Sequence, residues 1–292
     1  MCPESRTAPM GVGGGWQAVG MRTVVALARA SHLAPTVAVT TFTTALAAAA
    51  GGGARAGWVA AAVLAGQLSV GWSNDWLDRH RDRAAGRTDK PLVRGDVGDD
   101  TVRNGAALAV VACAALSLPL GWRPAAIHLL AVALAWSYNA GLKSTPVSVV
   151  PYMAAFALLP VFVTLALPEP SWPPLWIIAG GGLLGAGAHF ANVLPDLETD
   201  RRTGVIGLPH RLGAGASVTA ATLSLAGAVA VVTAGTWPPG VLTAIALVAT
   251  VTVVLGVPVS WFTARRDLAF RLAIAAAAGA VLALLANAAQ LG

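Results

Sequence analysis

The chain has 292 residues, of which 56% are hydrophobic and only 11% charged, and its mean hydropathy is +0.69. Soluble domains carry about 25% charged residues, so this composition excludes a soluble globular protein and predicts an integral membrane protein. Two cysteines, Cys2 and Cys113, are too few for a disulfide framework or a thiolate metal site.

Nine apolar stretches follow one another, separated by short polar or Gly/Pro-rich breaks. They cover residues 24–50, 57–80, 103–121, 124–140, 146–167, 173–194, 214–235, 240–262 and 269–290. A helix of about 20 apolar residues crosses the hydrocarbon layer of a bilayer. The sequence therefore predicts an all-α polytopic membrane protein with nine transmembrane helices. Residues 1–21 lack a continuous apolar core and are expected to form a disordered tail, while residues 22–292 are expected to form a single domain.

The net charge of +6 raises the question of a nucleic-acid partner. If the N-terminus lies inside, however, most lysines and arginines fall in the inner loops, and only Arg55 and Arg123 remain outside. Short cytoplasmic loops of membrane proteins are enriched in positive charge. The charge is therefore a topology signal rather than a nucleic-acid signal, and it predicts a plasma-membrane protein with a cytoplasmic N-terminus.

Two of the predicted inner loops follow helix ends that carry the same polar spacing. In each copy an asparagine is followed by aspartates four and eight residues later: Asn74, Asp78 and Asp82 in the first, and Asn192, Asp196 and Asp200 in the second. Side chains four residues apart share a helix face, where like charges repel. A cation is therefore expected between them, and oxygen ligands without a His/Cys cluster suit Mg²⁺.

Two facing carboxylate sets would hold magnesium ions around a diphosphate and neutralise the charge that develops as its carbon–oxygen bond breaks. The resulting allylic cation would need shielding from water by transmembrane helices. Basic residues near the same inner surface are expected to hold the remaining diphosphate charge: Lys90, Arg94, Lys143 and Arg201. A solvated, salt-bridged loop would explain one such acidic helix end, but not the repeated spacing in two.

With these motifs located, the chain resembles the UbiA superfamily of intramembrane prenyltransferases. The segment from Asn74 to Asp82 is similar to the family's NDxxDxxxD motif, and the segment from Asp196 to Asp200 to its DxxxD motif. Further likeness lies in residues 89–95, 138–143 and 204–213. The resemblance implies nine transmembrane helices around a central cavity that is capped by two cytoplasmic loops.

Carried over by position, the resemblance implies a Mg²⁺ cofactor and a prenyl diphosphate substrate. The implied metal ligands are Asn74, Asp78, Asp82, Asp196 and Asp200, of which the four aspartates are the catalytic candidates. Lys90 and Lys143 would contact the diphosphate. Asn192, Arg94 and Arg201 complete the predicted substrate-binding set.

The acceptor of the prenyl group stays open in the sequence. An aromatic or other small lipophilic acceptor is the leading expectation, and Arg29 and His32 are candidates for pairing with an acceptor carboxylate. A membrane terpene cyclase, which needs the same ionisation chemistry but no acceptor, is the alternative. A transporter or channel is disfavoured because its carboxylates should lie near the bilayer midplane rather than at one surface.

Overall fold

The computed structural model describes residues 13–238 and 240–263, together with ten separate positions between 268 and 286. The described chain is all-α, as predicted. Its helices are α1 (Gly13–Ala30), α2 (Leu33–Ala49), α3 (Arg55–Ala84), α4 (Pro91–Arg94), α5 (Asp99–Ser117), α6 (Trp122–Ala140), α7 (Val149–Ala166), α8 (Leu175–Val193), α9 (Leu197–Arg202), α10 (Leu208–Leu212), α11 (Ala214–Gly235) and α12 (Val241–Phe262).

The first predicted stretch, 24–50, is not one helix but two. The chain breaks at Ser31 and His32, where His32 adopts a left-handed conformation with φ of 55°. Pro35 has no N–H to donate to the carbonyl of Ser31 four residues earlier. The Thr36 hydroxyl donates to that carbonyl instead, at 2.7 Å. Helix α1 also begins at Gly13, inside the predicted tail, whose residues 1–12 lie outside the described chain.

Four described spans are long and apolar enough to cross a membrane: Asp99–Leu120, Val149–Ala166, Leu175–Arg202 and Ala214–Gly235. Helix α2 is apolar but has only 17 residues, and α3 carries the charged first motif. The predicted ninth stretch, 269–290, falls mostly outside the described residues. The count of nine transmembrane helices therefore stays a prediction.

Helices that are consecutive in the chain pack against one another. Helix α3 contacts α2, α5 and α6; α7 contacts α2, α6 and α8; and α11 contacts α8 and α12. Small residues permit the closest of these approaches. A Cβ placed on Gly185 of α8 would lie 2.8 Å from the Phe156 Cβ of α7, so only glycine fits at this crossing.

One arginine joins the ends of three segments at the edge farthest from the motifs. Arg55, at the start of α3, donates to the carbonyls of Leu120, Ala166 and Leu167 at 3.2 to 3.4 Å. These carbonyls belong to the last residues of the α5 and α7 segments, where no following helical N–H is present to bind them. Large apolar side chains such as Leu175, 82% exposed, cover the exterior, as expected for a surface that faces lipid.

Candidate active site

The first motif lies on the last turns of α3, and its asparagine is fixed by a neighbouring amide. The side-chain nitrogen of Asn74 donates to the Asn139 oxygen at 3.1 Å. Asn139, on α6, in turn donates to the Val70 carbonyl at 3.0 Å and to the Ser73 hydroxyl at 2.9 Å. Because the Asn74 nitrogen is engaged, its oxygen is the atom that is directed to a cation. In the sequence, Asn139 stood out only as part of the segment 138–143, and no role was predicted for it.

Lys143 lies between the two motifs. Its ammonium contacts the Asp78 carboxylate, which also binds Arg81 at 2.6 Å, and it interacts electrostatically with Asp200 of the second motif. Burial lowers the pKa of Lys143, and the charges of Asp78 and Asp200 offset part of that effect. A short turn after α6, Leu142–Ser144, holds the lysine in this position.

A second cation, Arg87, interacts electrostatically with the other two motif aspartates while its hydrogen bonds go to Asp89. The pKa of its guanidinium is raised, chiefly by hydrogen bonds to Asp89 and further by the charges of Asp196 and Asp82. Asp89 binds it at 3.0 Å through both oxygens. Arg87 and Lys143 thus each interact with one carboxylate from each motif. Sequence reasoning assigned Arg87 only to the basic inner loop, because nothing in its spacing marks it.

The second motif is not a continuation of α8. After Val193 a 3₁₀ turn spans Leu194–Asp196, and Asp200 lies on the separate helix α9. Pro195, with its missing N–H, accounts for the break. Asp200 lies 3.5 Å from the ring nitrogen Nε2 of His210, whose pKa is lowered by burial and by the charge of Arg201.

The remaining predicted ligands divide into two groups. Lys90 is close to the site: it binds Asp75, the residue after Asn74, at 2.6 Å. Arg94 is exposed and binds Asp96 at 2.6 Å, and the Arg201 side chain donates to the backbone carbonyl of His210. Neither of these arginines contacts a motif carboxylate among the described residues.

Asn192, the last predicted ligand, belongs to an aromatic group beside the carboxylates. Its side chain donates to the Tyr152 hydroxyl at 3.5 Å. Tyr152 packs edge-on against Tyr138 with ring centroids 5.0 Å apart, and the buried His189 ring lies 5.2 Å from Tyr152. Tyr138 interacts electrostatically with both Asp78 and Asp200, so the aromatic group lies within range of the charges of both motifs.

The oxygen ligands of the two motifs suit magnesium, although lysine and arginine side chains of the protein itself pair with them in this structure. Within the described residues, no three acidic, histidine or cysteine side chains are grouped so that they could bind a metal ion together. The motif carboxylates Asp78 and Asp82 are instead buried beside lysine and arginine. Mg²⁺ usually takes only one or two carboxylates and completes its shell with water and phosphate oxygens, so the oxygen-only set fits it.

The fold and this site define a class of helical membrane proteins with paired aspartate motifs, and comparison with solved structures agrees. A UbiA homologue from Aeropyrum pernix K1, in its apo form, has a TM-score of 0.68 at 23% identity, covering 84% of this chain and 96% of its own. A UbiA homologue from Archaeoglobus fulgidus bound to GPP and Mg²⁺ has a TM-score of 0.64 at 15% identity, covering 88% and 99%.

A digeranylgeranylglyceryl phosphate synthase also shares the fold, with a TM-score of 0.67 at 16% identity over 93% of this chain and 100% of its own. No functionally curated protein sequence matches significantly. Residues 36–271 match the UbiA prenyltransferase family. The chain therefore belongs to this family and is an integral membrane protein, which confirms the resemblance inferred from the motifs.

Proposed function

We propose that this protein is a Mg²⁺-dependent intramembrane prenyltransferase that ionises an isoprenoid diphosphate and transfers the prenyl group to an aromatic or other small lipophilic acceptor. One observation carries the proposal: Lys143 and Arg87 each interact with one carboxylate of either motif. Two acidic motifs joined by cations form the charge pattern expected for a metal–diphosphate site. The Archaeoglobus fulgidus relatives bound to Mg²⁺ with GPP or with DMAPP support this chemistry.

In this proposal the motif residues Asn74, Asp78, Asp82, Asp196 and Asp200 hold the metal. Bound Mg²⁺ would neutralise the negative charge that develops on the diphosphate as it leaves. Lys143 would contact diphosphate oxygens, and their negative charge would offset the cost of burying its ammonium. Lys90 and Arg87 approach the same anion from the loop after α3. Asn192, Arg94 and Arg201 stay assigned to substrate binding.

The aromatic group has a role in the same step. Tyr138 interacts electrostatically with Asp78 and Asp200 and packs edge-on against Tyr152, so the faces of these rings would stabilise the allylic cation once the diphosphate has left. The helices around them exclude water, which would otherwise capture that cation. We also propose that the motif side faces the cytoplasm, because Arg55 and Arg123 belong to the opposite side of a chain whose basic residues otherwise gather near the motifs.

The decisive experiment measures diphosphate release by the purified protein in lipid nanodiscs. The donors are GPP and longer prenyl diphosphates, each supplied with and without a panel of aromatic acceptors and with Mg²⁺ or with EDTA. Products are identified by mass spectrometry. Asp78→Asn and Asp196→Asn should each reduce release by at least about 100-fold, the scale on which removing one electrostatic contributor acts. Asp100→Asn is the matched control, because this exposed aspartate pairs only with Arg103 in the described structure.

The outcomes separate the candidate functions. Release that requires Mg²⁺ and yields a prenylated acceptor supports the transferase. A cyclic hydrocarbon or alcohol formed from the donor alone would instead establish the cyclase. No release from any donor, or near-normal activity of either motif variant, would refute the assignment of these carboxylates.

A further inference from the structure

A histidine, an aspartate and a lysine meet beside the first motif at the break between α1 and α2. One oxygen of Asp75, Oδ1, accepts from His32 Nε2 at 2.9 Å and from Lys90 Nζ at 2.6 Å. The Asp75 side chain is 2% exposed, whereas that of His32 is 39% exposed. The His32 ring therefore has one nitrogen on a buried carboxylate and the rest of its edge open.

The fold holds His32 there through a close backbone approach. Gly71 precedes Asp75 by four residues on the same face of α3, and a Cβ at Gly71 would lie 2.8 Å from the Ser31 Cα. The Trp72 ring nitrogen donates to the Leu27 carbonyl at 2.8 Å, which ties α3 to α1. The chain turn at Ser31 is thus pressed onto α3, one residue before His32.

The backbone at His32 is strained. Among the described residues, His32 is the one non-glycine residue with positive φ, and such a conformation costs on the order of 1–3 kcal/mol. Charge balance does not explain why this strain is kept. Lys90 already neutralises the Asp75 carboxylate, so the imidazole is not needed for that purpose. Strain of this kind concentrates at functional sites and gives a reason to ask what the ring does.

The hydrogen-bond pattern fixes the tautomer of the neutral ring. Nε2 lies 2.9 Å from Asp75 Oδ1 and 3.3 Å from Lys90 Nζ. An ionised carboxylate only accepts, so a lone pair on Nε2 would be repelled by the nearer Asp75 oxygen, and Nε2 therefore carries the proton and donates it to Asp75. The other nitrogen, Nδ1, then carries a lone pair on the open edge of the ring. A carboxylate that orients an imidazole and stabilises its protonated form is the arrangement that makes histidine a general base.

We propose that His32 is the general base that removes the proton from the prenyl acceptor, with Asp75 as its positioning residue. The inference rests on the proposed transferase function and adds a residue to it. The electron pair of the breaking carbon–oxygen bond leaves with the diphosphate, the nucleophilic atom of the acceptor bonds to the prenyl C1, and the acceptor proton moves to Nδ1 of His32. The acceptor is thus a compound with an ionisable O–H or an activated aromatic C–H.

The second oxygen of Asp75 agrees with a polar molecule binding here. Within the described residues, Oδ2 is buried without a hydrogen-bond partner, which costs roughly 1–3 kcal/mol unless a donor reaches it. The charged groups that the described structure places against His32 are Asp75 and Lys90, so neither competes for Nδ1.

The test uses variants that preserve the left-handed backbone. Asparagine and glycine adopt positive φ more readily than other residues, so His32→Asn and His32→Gly remove the ring without adding strain. Wild type and variants in nanodiscs receive GPP, Mg²⁺ and each of 4-hydroxybenzoate, 1,4-dihydroxy-2-naphthoate and homogentisate. The readout is the ratio of prenylated acceptor to released diphosphate.

We expect both variants to lower acceptor prenylation by about 10²–10⁴-fold, the usual contribution of a general base. Diphosphate release should fall far less, because ionisation of GPP does not require the base, and the prenyl group then leaves in products that contain no acceptor. Added imidazole should restore prenylation in His32→Gly, which has room for it, and not in His32→Asn. Asp75→Asn should lower the same ratio. Asp100→Asn, whose exposed side chain pairs with Arg103, should leave the ratio unchanged.

Several results would overturn the inference. Wild-type ratios in both His32 variants would do so, as would a parallel loss of release and prenylation without rescue by imidazole, because a merely structural role moves both together. Formation of only cyclic product from GPP by the wild type would also refute it, since no acceptor proton is then removed. Absence of any diphosphate release from the wild type would refute the proposed function itself.

Discussion

Replacing Gly185 with alanine tests whether α7 and α8 cross as closely as described. The added Cβ would lie 2.8 Å from the Phe156 Cβ and 2.9 Å from the Tyr152 carbonyl carbon, and backbone cannot yield as a flexible side chain does. Overpacking costs about 1–3 kcal/mol, and the better helix propensity of alanine returns about 0.5–1 kcal/mol. Because the contacts are to backbone and to a Cβ atom, we expect a net loss of about 1 kcal/mol.

Gly180 supplies the matched control one and a half turns earlier on the same helix. Its Cβ would meet only the Val232 Cγ2 atom, at an ordinary 3.5 Å, so Gly180→Ala should be neutral or stabilising by up to about 1 kcal/mol. At about 2 °C per kcal/mol for a chain of this size, thermal unfolding in detergent should separate the two variants by about 4 °C.

The same substitution should also affect catalysis. Tyr152 and His189 both lie at this crossing, so Gly185→Ala should lower kcat for diphosphate release while Gly180→Ala leaves it unchanged. Equal melting temperatures for the two variants would refute the close crossing. A destabilised Gly185→Ala protein with normal kcat would show that the catalytic contribution of the aromatic group does not depend on the close α7–α8 crossing.

Two further predictions concern single cations. Lys143→Met should raise KM for GPP about tenfold or more, since a charge-assisted contact contributes about 1.5–3 kcal/mol. Arg81 still pairs with Asp78, so the variant should fold. An unchanged KM would exclude Lys143 from the diphosphate site. Arg55→Met should lower stability by about 1–2 kcal/mol, because three carbonyls lose their donor, and it should leave kcat unaltered. The control Arg123→Met loses only a contact to the exposed Trp122 ring and should unfold at the wild-type temperature. Equal melting temperatures for the two variants would show that the Arg55 hydrogen bonds do not stabilise the fold.

The features that the sequence predicted well are those written in local chemistry. Apolar length marked α5 to α8, α11 and α12 to within a few residues, because a bilayer requires continuous apolar helices whatever their neighbours. The motif spacing led to the family, since few chemical demands produce two acidic helix ends with the same asparagine. The break at His32 was missed because Pro35 near a helix start is compatible with one helix or two.

The pairing of charges was decided only by tertiary structure. Arg81 is an ordinary basic residue in the sequence, yet the fold places it against the motif carboxylate of Asp78. Arg94, which had been grouped with Lys90, binds Asp96 on the surface instead. Asp75 belongs to the first motif by position, but its side chain binds His32 and Lys90. Which partner an ionic side chain takes depends on burial and on helices that are distant in the chain.

By itself the sequence determined that this protein lies in a membrane, that it is helical, and that two matching sets of oxygen ligands follow two of its helices. These properties arise from hydropathy and from residue spacing along one segment, which need no knowledge of neighbours. The tertiary structure decided that Lys143, from the turn after α6, pairs with Asp78 at the end of α3. It also decided that His32 reaches Asp75, because Gly71 lets the chain turn at Ser31 approach α3 closely. Both contacts join residues that lie far apart in the chain, so residue spacing along one segment cannot predict them.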